Sequence, residues 1–209
     1  MNKRLFSCAA IGLLMLAGCD GAFTKARKTV YAPTEEGLTL IYEDMTLPSA
    51  QRFQERLQRR ISASSDTPAG RRVTITYTTF KNNFSADFVS KDGGWTLMRG
   101  DKPVATMLPE GFPDRVSHWE DPERGTTFRV VARGAIQNPN LQLPEDFDRI
   151  GIWVEMESRT GLRQRIFYLP RVGETESRIL KDGVWVLNQQ LVSRGFTDAP
   201  PVSDQEAKP

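Results

Sequence analysis

The sequence contains a single histidine, and histidine is the side chain that most often moves protons near neutral pH. Ser117 precedes His118, and two carboxylates follow at Glu120 and Asp121, so the residue types of a hydrolase triad occur together. Neighbours in sequence rarely form a triad, and no serine of the chain lies in a nucleophile elbow. A hydrolase that uses His118 is therefore our third interpretation, and we expect the protein not to be an enzyme.

Metal-binding side chains are equally sparse. With one imidazole and two cysteines, the chain lacks the ligands of a transition-metal site. Glu145, Asp146 and Asp148 form a small acidic cluster, and carboxylates suit a hard cation such as calcium. Their spacing lacks the Asp-x-Asp-x-Asp-Gly pattern of a calcium loop, which favours a solvated loop. We expect no metal and no cofactor.

The first twenty residues have the layout of an export signal. Lys3 and Arg4 form a short basic start, and an apolar stretch from Leu5 to Leu16 follows. This stretch is too short to span a bilayer comfortably. The run Leu16-Ala17-Gly18-Cys19 resembles the lipobox of bacterial lipoproteins, in which a branched apolar residue and two small residues precede a cysteine.

The resemblance implies how the chain is processed. In bacterial lipoproteins the thiol receives a diacylglycerol, the signal is removed before the cysteine, and the new amino group is often acylated, with palmitate for example. Cys19 would then be the first mature residue, anchored in the cell membrane with the domain outside the cytoplasm, in the periplasm of a Gram-negative cell. Asp20 resembles the signal that retains enteric lipoproteins at the inner membrane. The alternative is an ordinary signal peptide with an incidental cysteine.

Removal of the signal changes both the charge balance and the supply of thiols. The chain has 28 basic and 26 acidic residues, and the loss of Lys3 and Arg4 leaves 26 of each. A neutral domain lacks the basic excess of a nucleic-acid-binding protein, so we expect no nucleic acid partner. Because Cys8 is lost with the signal and Cys19 is acylated, no thiol remains for a disulfide or a nucleophile.

Composition divides the chain into four parts. Residues 1–18 are the signal peptide, 19–36 a lipidated tether, 37–196 a single β-rich domain and 197–209 a disordered tail. The tether mixes Gly, Thr, Lys, Pro and Glu without periodicity. The tail is rich in Pro, Asp and Glu and has no core-forming pattern.

The segment from Pro48 to Ile61 predicts an amphipathic helix near the start of the domain. Phe53, Leu57 and Ile61 recur every four residues, Pro48 suits a first helical turn, and arginines crowd the last turns. One interpretation packs this apolar stripe on a sheet. The alternative makes the helix a lid, in which case the three side chains would line a cavity for a lipid or other apolar ligand. A loop follows, from Ser62 to Gly70.

A period of two predicts strands through the rest of the domain. Val73, Ile75 and Tyr77 alternate with threonines. The other predicted strands are 38–42, 84–90, 95–99, 104–108, 126–136, 150–157, 162–169, 178–181 and 184–191. Lys-Asp-Gly-x-Trp-x-Leu occurs at 91–97 and again at 181–187, and Asp-Gly between apolar runs predicts a tight hairpin. These spacings favour antiparallel order.

In one predicted hairpin, the sequence also indicates which side chains face each other across the two strands. One face of its first strand carries four apolar residues, Ile150, Ile152, Val154 and Met156. Glu155 and Glu157 lie on the other face, and the returning strand offers Arg163 and Arg165. This pattern indicates surface ion pairs rather than a catalytic carboxylate pair.

Two proline-rich stretches, 109–125 and 138–148, predict long loops, where binding residues are often found. In the first stretch, Phe112, His118 and Trp119 are candidate contacts for a protein partner, since aromatic side chains are common binding hot spots. The alternative is that these aromatic side chains fold back onto their own domain.

The fold that these patterns predict is mainly β, an antiparallel sandwich or open barrel with one amphipathic helix near its start. The predicted function is that of a membrane-anchored envelope lipoprotein with a non-catalytic protein-interaction or assembly role. It would touch the membrane through lipid on Cys19 and an envelope protein through its domain. The alternative is a carrier of a lipid or other apolar ligand in a half-open β barrel.

Overall fold

A computed structural model describes residues 29–139 and 141–196 of the chain. Its regular elements are one short helix, α1 (Ser49–Arg52), and twelve strands. The strands are β1 (Leu38–Asp44), β2 (Leu57–Thr67), β3 (Gly70–Thr78), β4 (Asn83–Lys91), β5 (Gly94–Arg99), β6 (Lys102–Leu108), β7 (His118–Asp121), β8 (Thr126–Ala135), β9 (Ile150–Ser158), β10 (Arg163–Leu169), β11 (Gly173–Lys181) and β12 (Val184–Phe196).

All twelve strands belong to one antiparallel sheet, in the order β6-β5-β4-β3-β2-β1-β12-β11-β10-β9-β8-β7. Every neighbour in the sheet is also a neighbour in sequence except β1 and β12, which join the first half to the second. The sheet curls into a nearly closed barrel shape, with β6 and β7 as its edges. The predicted antiparallel, mainly β fold is confirmed, and its shape is that of an open barrel.

The core lies on the concave face of this sheet. Along β3, Val73 and Ile75 are buried while the threonines between them are half-exposed, as the period of two predicts. Both halves of the sheet contribute large side chains that are fully buried, such as Leu40 and Tyr42 from β1 and Ile152 from β9. Since neighbouring strands bring the same face inward, one continuous hydrophobic cluster fills the barrel.

The predicted amphipathic helix from Pro48 to Ile61 is wrong. The helix ends after four residues, and β2 begins at Leu57. A spacing of four residues is also a multiple of two, so Leu57 and Ile61 lie on the same face of a strand as readily as on one face of a helix. Pairing decides between them, because Leu57 lies opposite Tyr42 of β1 and Ile61 opposite Ile75 of β3.

Two other elements depart from the predicted strands and loops. Strand β2 continues to Thr67, so most of the predicted loop from Ser62 to Gly70 is a strand. Strand β7 lies inside the predicted loop 109–125 and pairs with β8. By contrast, both Asp-Gly pairs form tight hairpins, with positive φ angles at Asp92 and Asp182 as the sequence predicts.

The antiparallel order places the connections alternately at two ends of the barrel. We call the end that contains residues 29–36 and the β2–β3, β4–β5, β6–β7, β8–β9 and β10–β11 connections the leader end. The β1–β2, β3–β4, β5–β6, β7–β8, β9–β10 and β11–β12 connections lie at the opposite end. In the part of the chain that the structure describes, no helix has the length and hydropathy of a membrane span.

Candidate functional site

Residues 29–36 pack across the leader end. Tyr31 and Ala32 are buried, and the ring of Tyr31 meets that of Phe112 edge-on with 5.3 Å between centroids. The carbonyl of Val30 accepts a hydrogen bond from the Arg171 backbone N–H at 2.7 Å. This part of the predicted tether therefore belongs to the folded domain and closes one end of the barrel.

The opposite end exposes large apolar side chains. Of the eight large hydrophobic residues that are exposed in the described part of the chain, six lie at or next to that end. We call these six the far rim: Phe53, Phe80, Phe84, Leu162, Val184 and Val186. Their connections follow the order of the sheet, so the β3–β4, β1–β2, β11–β12 and β9–β10 turns are neighbours around the rim.

Inside the barrel, beneath residues 31–33, lies a chamber of about 150 Å³. Its apolar lining comes from strands β1 to β6 and consists of Leu40, Ile61, Ile75, Phe88, Trp95 and Met107. Four tyrosines, Tyr31, Tyr42, Tyr77 and Tyr168, and one ion pair supply its polar groups. The chamber thus combines an apolar wall with a small number of polar groups, as small-molecule sites do.

The ion pair of the chamber joins β2 to β11. Arg59 Nη1 donates a hydrogen bond to Glu174 Oε2 at 3.0 Å, and the guanidinium stacks over the Tyr42 ring at 4.3 Å. The Tyr42 hydroxyl donates to the Glu174 backbone carbonyl at 2.8 Å. Arg59 Nε is buried and has no hydrogen-bond partner among the described residues.

Burial and charge set the protonation of these groups. Burial alone would lower the pKa of Arg59, but the charge of Glu174 more than compensates, so the pKa lies above its ordinary value. Burial raises the pKa of the Tyr42 and Tyr168 hydroxyls above their ordinary value. Arg59 therefore stays charged and both tyrosines stay protonated at neutral pH, so each can act as a hydrogen-bond donor.

A second charged cluster lies on the convex face of β8, β9 and β10. Glu155 is 3% exposed and accepts hydrogen bonds from Arg129 at 2.7 Å, Arg163 at 2.5 Å and Arg165 at 3.0 Å. The predicted opposition of the two arginines to the two glutamates is confirmed, and the register places Arg163 opposite Glu157 and Arg165 opposite Glu155. The structure adds Arg129 and buries the carboxylate, so this cluster is more than a surface ion pair.

The loop residues named as candidate partner contacts are mostly internal. Phe112 is 3% exposed and Trp119 is 8% exposed, and their rings meet edge-on at 5.7 Å. Trp119 also stacks on Phe128. His118 is exposed at the start of β7, and its Nε2 lies 3.9 Å from Glu120 Oε1. The two aromatic residues thus close the core between the sheet edges.

The residues named for an apolar ligand separate in the structure. Phe53 is exposed on the far rim and Leu57 is half-buried, whereas Ile61 lines the chamber. In the acidic cluster, Asp146 pairs with Arg171 at 2.9 Å. Residues 29–139 and 141–196 contain no group of three or more side chains suited to hold a metal ion. Cys19 and Asp20 lie outside the described residues.

No family model matches the chain, and no curated protein matches it either. The lack of a matching model agrees with the sequence, which indicates a lipoprotein leader and no recognisable family for the domain. Two solved structures are similar in fold. One is a protein of Bacteroides fragilis NCTC 9343 described as a "putative exported protein with YmcC-like fold". Its sequence is 13% identical, the match covers 80% of this chain and 99% of that chain, and the TM-score is 0.52. The other, a "putative lipoprotein" of Parabacteroides distasonis ATCC 8503, has 12% identity, the same coverage and a TM-score of 0.45.

Apart from Phe53 on the far rim and Ile61 in the chamber, sequence reasoning did not name the residues that make up these two regions as site residues. Arg59 lies in the segment predicted as a helix, where its charge indicated a solvated face. Only the pairing of β2 with β1 and β3 turns Arg59 inward, opposite Leu40 and Tyr77. A test for period two in that segment would have found the signal, since Leu57, Arg59 and Ile61 alternate.

Proposed function

We propose that this chain is a lipid-anchored envelope protein that binds another envelope protein through the far rim and has no catalytic role. The observation that carries the proposal is the concentration of exposed apolar side chains at the end opposite the leader end. A concentration of exposed apolar side chains at one end of a domain is a feature of interaction sites.

The proposed anchor would be joined to the leader end of the barrel. Thr29 follows Cys19 by ten residues, so even a fully extended chain lets the leader end lie no more than about 35 Å from the lipid. The far rim lies at the other end of the barrel from this attachment. The exported neighbour of similar fold supports an envelope location, and Asp20 favours the inner membrane and a periplasmic domain.

The chemistry of the rim favours a protein partner with an apolar surface. Phe53, Phe80 and Phe84 are 69%, 78% and 55% exposed, and aromatic side chains are enriched among the residues that dominate binding energy. Phe84 stacks on Tyr77 at 4.9 Å, so one of the three rings is already held in place. A preorganised side chain loses less conformational entropy on binding.

Photo-crosslinking in the producing cells tests the partner. A benzophenone amino acid at position 80 should give a covalent product with one envelope protein, whereas the same probe at Phe196, an aromatic residue 59% exposed at the leader end, should not. Adding Phe53→Ser and Phe84→Ser should abolish the product from position 80. Equal products from both positions, or a product at position 80 with lipid alone, would contradict the proposal.

A further inference from the structure

The chamber lies apart from the far rim and has a chemistry of its own. It is lined by residues 31–33 at the leader end, by the apolar side chains of the first six strands and by Tyr168 and Glu174 from the second half of the sheet. The partner-binding role of the far rim makes no use of any of these groups.

We propose that the chamber binds an uncharged, mainly apolar molecule about the size of a substituted benzene ring that carries one hydrogen-bond acceptor. The size follows from the volume of about 150 Å³. An apolar protein cavity of about this volume holds benzene.

The ion pair requires the ligand to be uncharged. Arg59 and Glu174 already neutralise one another at 3.0 Å. A further charge would have to be removed from water without a partner, and the desolvation of an unpaired ion costs several kcal/mol. Neither a carboxylate nor an amine therefore fits the chamber as well as a neutral molecule of the same shape.

The unpartnered donor requires an acceptor on the ligand. Arg59 Nε is buried without a hydrogen-bond partner in the described part of the chain, and a buried donor left unsatisfied is unfavourable. Tyr168 lines the same chamber. One carbonyl oxygen on an otherwise apolar molecule would satisfy the guanidinium while its ring packs against Trp95 and Phe88.

Benzamide is the probe of choice, with benzoate and benzylamine as charged analogues of nearly the same shape. The full-length protein in lipid nanodiscs is titrated with each compound by isothermal titration calorimetry, and empty nanodiscs give the blank. We expect saturable one-to-one binding of benzamide and at least tenfold weaker binding of both ions. Benzoate binding as tightly as benzamide, or heat that does not exceed the blank for any compound, would overturn the proposal.

Paired variants locate the binding. Ala32→Leu places three carbon atoms into the chamber and should abolish benzamide binding, whereas Ala105→Leu makes the same change at a buried alanine outside the chamber lining and should preserve it. A melting curve for each variant establishes that it is folded. Equal losses in two folded variants would place benzamide elsewhere and overturn the proposal.

A second pair of variants tests the donor without filling the space. Arg59→Met with Glu174→Gln removes both charges and should weaken benzamide at least tenfold while toluene binding changes little. The matched control is Arg72→Met with Asp87→Asn, which removes an ion pair of 2.9 Å outside the chamber and should leave benzamide binding unchanged. An unchanged affinity for benzamide in the Arg59 variant would refute the role of the guanidinium.

Discussion

Glu155 is a buried carboxylate whose ionised form depends on its neighbours. Burial alone would raise its pKa, but hydrogen bonds from Arg163, Arg129 and Arg165 lower the pKa from 4.5 to about 2. Because the folded-state pKa lies below the unfolded value, the stabilisation is fully present above about pH 4.5. It is lost as the pH falls toward 2.

At the residue scale, Glu155→Gln should lower the free energy of unfolding at pH 7 by about 3 kcal/mol, since it leaves three arginines without their common partner. The difference from the wild type should shrink as the pH is lowered from 5 to 3. Urea denaturation at a series of pH values measures both effects. The control is Glu157→Gln, whose carboxylate is 57% exposed and 4.0 Å from Arg163 Nε, and which should change stability by no more than about 0.5 kcal/mol. If the difference in unfolding free energy between the wild type and Glu155→Gln stayed constant with pH, it would contradict the lowered pKa of Glu155.

The local hairpin pattern was enough to predict the pairing of Arg163 and Arg165 with the two glutamates. It was not enough to predict that Glu155 is buried, because Arg129 reaches it from β8, more than twenty residues earlier in the chain. The rule that opposite charges face each other across a strand pair takes only those two strands into account. The charge cluster depends on three strands at once.

At the scale of elements, β9 and β10 approach each other closely at Gly151. A Cβ atom there would meet the Tyr168 carbonyl oxygen and would lie 2.6 Å from Phe167 Cζ. The backbone of β9 therefore requires a residue without a side chain at this position. Phe167 is 1% exposed, and buried side chains in protein interiors are closely packed.

Gly151→Ala should therefore lower the free energy of unfolding by about 2 kcal/mol, the usual cost of overpacking a filled site. Gly134→Ala is the matched control, because Gly134 lies in strand β8 and a Cβ there would meet nothing within 4 Å. Thermal or urea unfolding of the two variants makes the comparison. Equal stability of both would show that the close approach of β10 is not what selects glycine at position 151.

The strands that sequence patterns predicted well are those with regular alternation and clear turns, such as β3 and the two Asp-Gly hairpins. Strand β2 was assigned as a helix because its apolar residues fit both periods, and local patterns do not distinguish them when the spacing is four. Strand β7 was missed because it has only four residues between proline-rich segments. Both segments form strands because of their pairing with other strands of the sheet.

At the scale of the whole molecule, the leader and the domain are joined at one end of the barrel. The chain enters through the buried residues Tyr31 and Ala32, so the domain is held close to whatever Cys19 is attached to. The far rim lies at the opposite end. In the proposed function, membrane anchoring and partner binding would therefore occur at opposite ends of the barrel.

Cys19→Ser should release the protein from the membrane, because it removes the thiol that would carry the lipid. Cys8→Ser changes the other cysteine of the chain and should leave the protein in the membrane fraction. Fractionation of cells followed by immunoblotting compares the two variants. Persistence of the Cys19→Ser protein in the membrane after a carbonate wash would refute the lipid anchor.

The sequence by itself determined the antiparallel β class, the main hairpins and the resemblance to a lipoprotein leader, since each depends on residues close together in the chain. The tertiary structure decided that Arg59 faces inward, that Tyr31 closes the leader end and that Phe112 and Trp119 fill the gap between the sheet edges. Each of these outcomes requires residues far apart in sequence to meet on one curved sheet. The curl of that sheet brings its two halves together around one core. Local sequence propensity does not predict this curl.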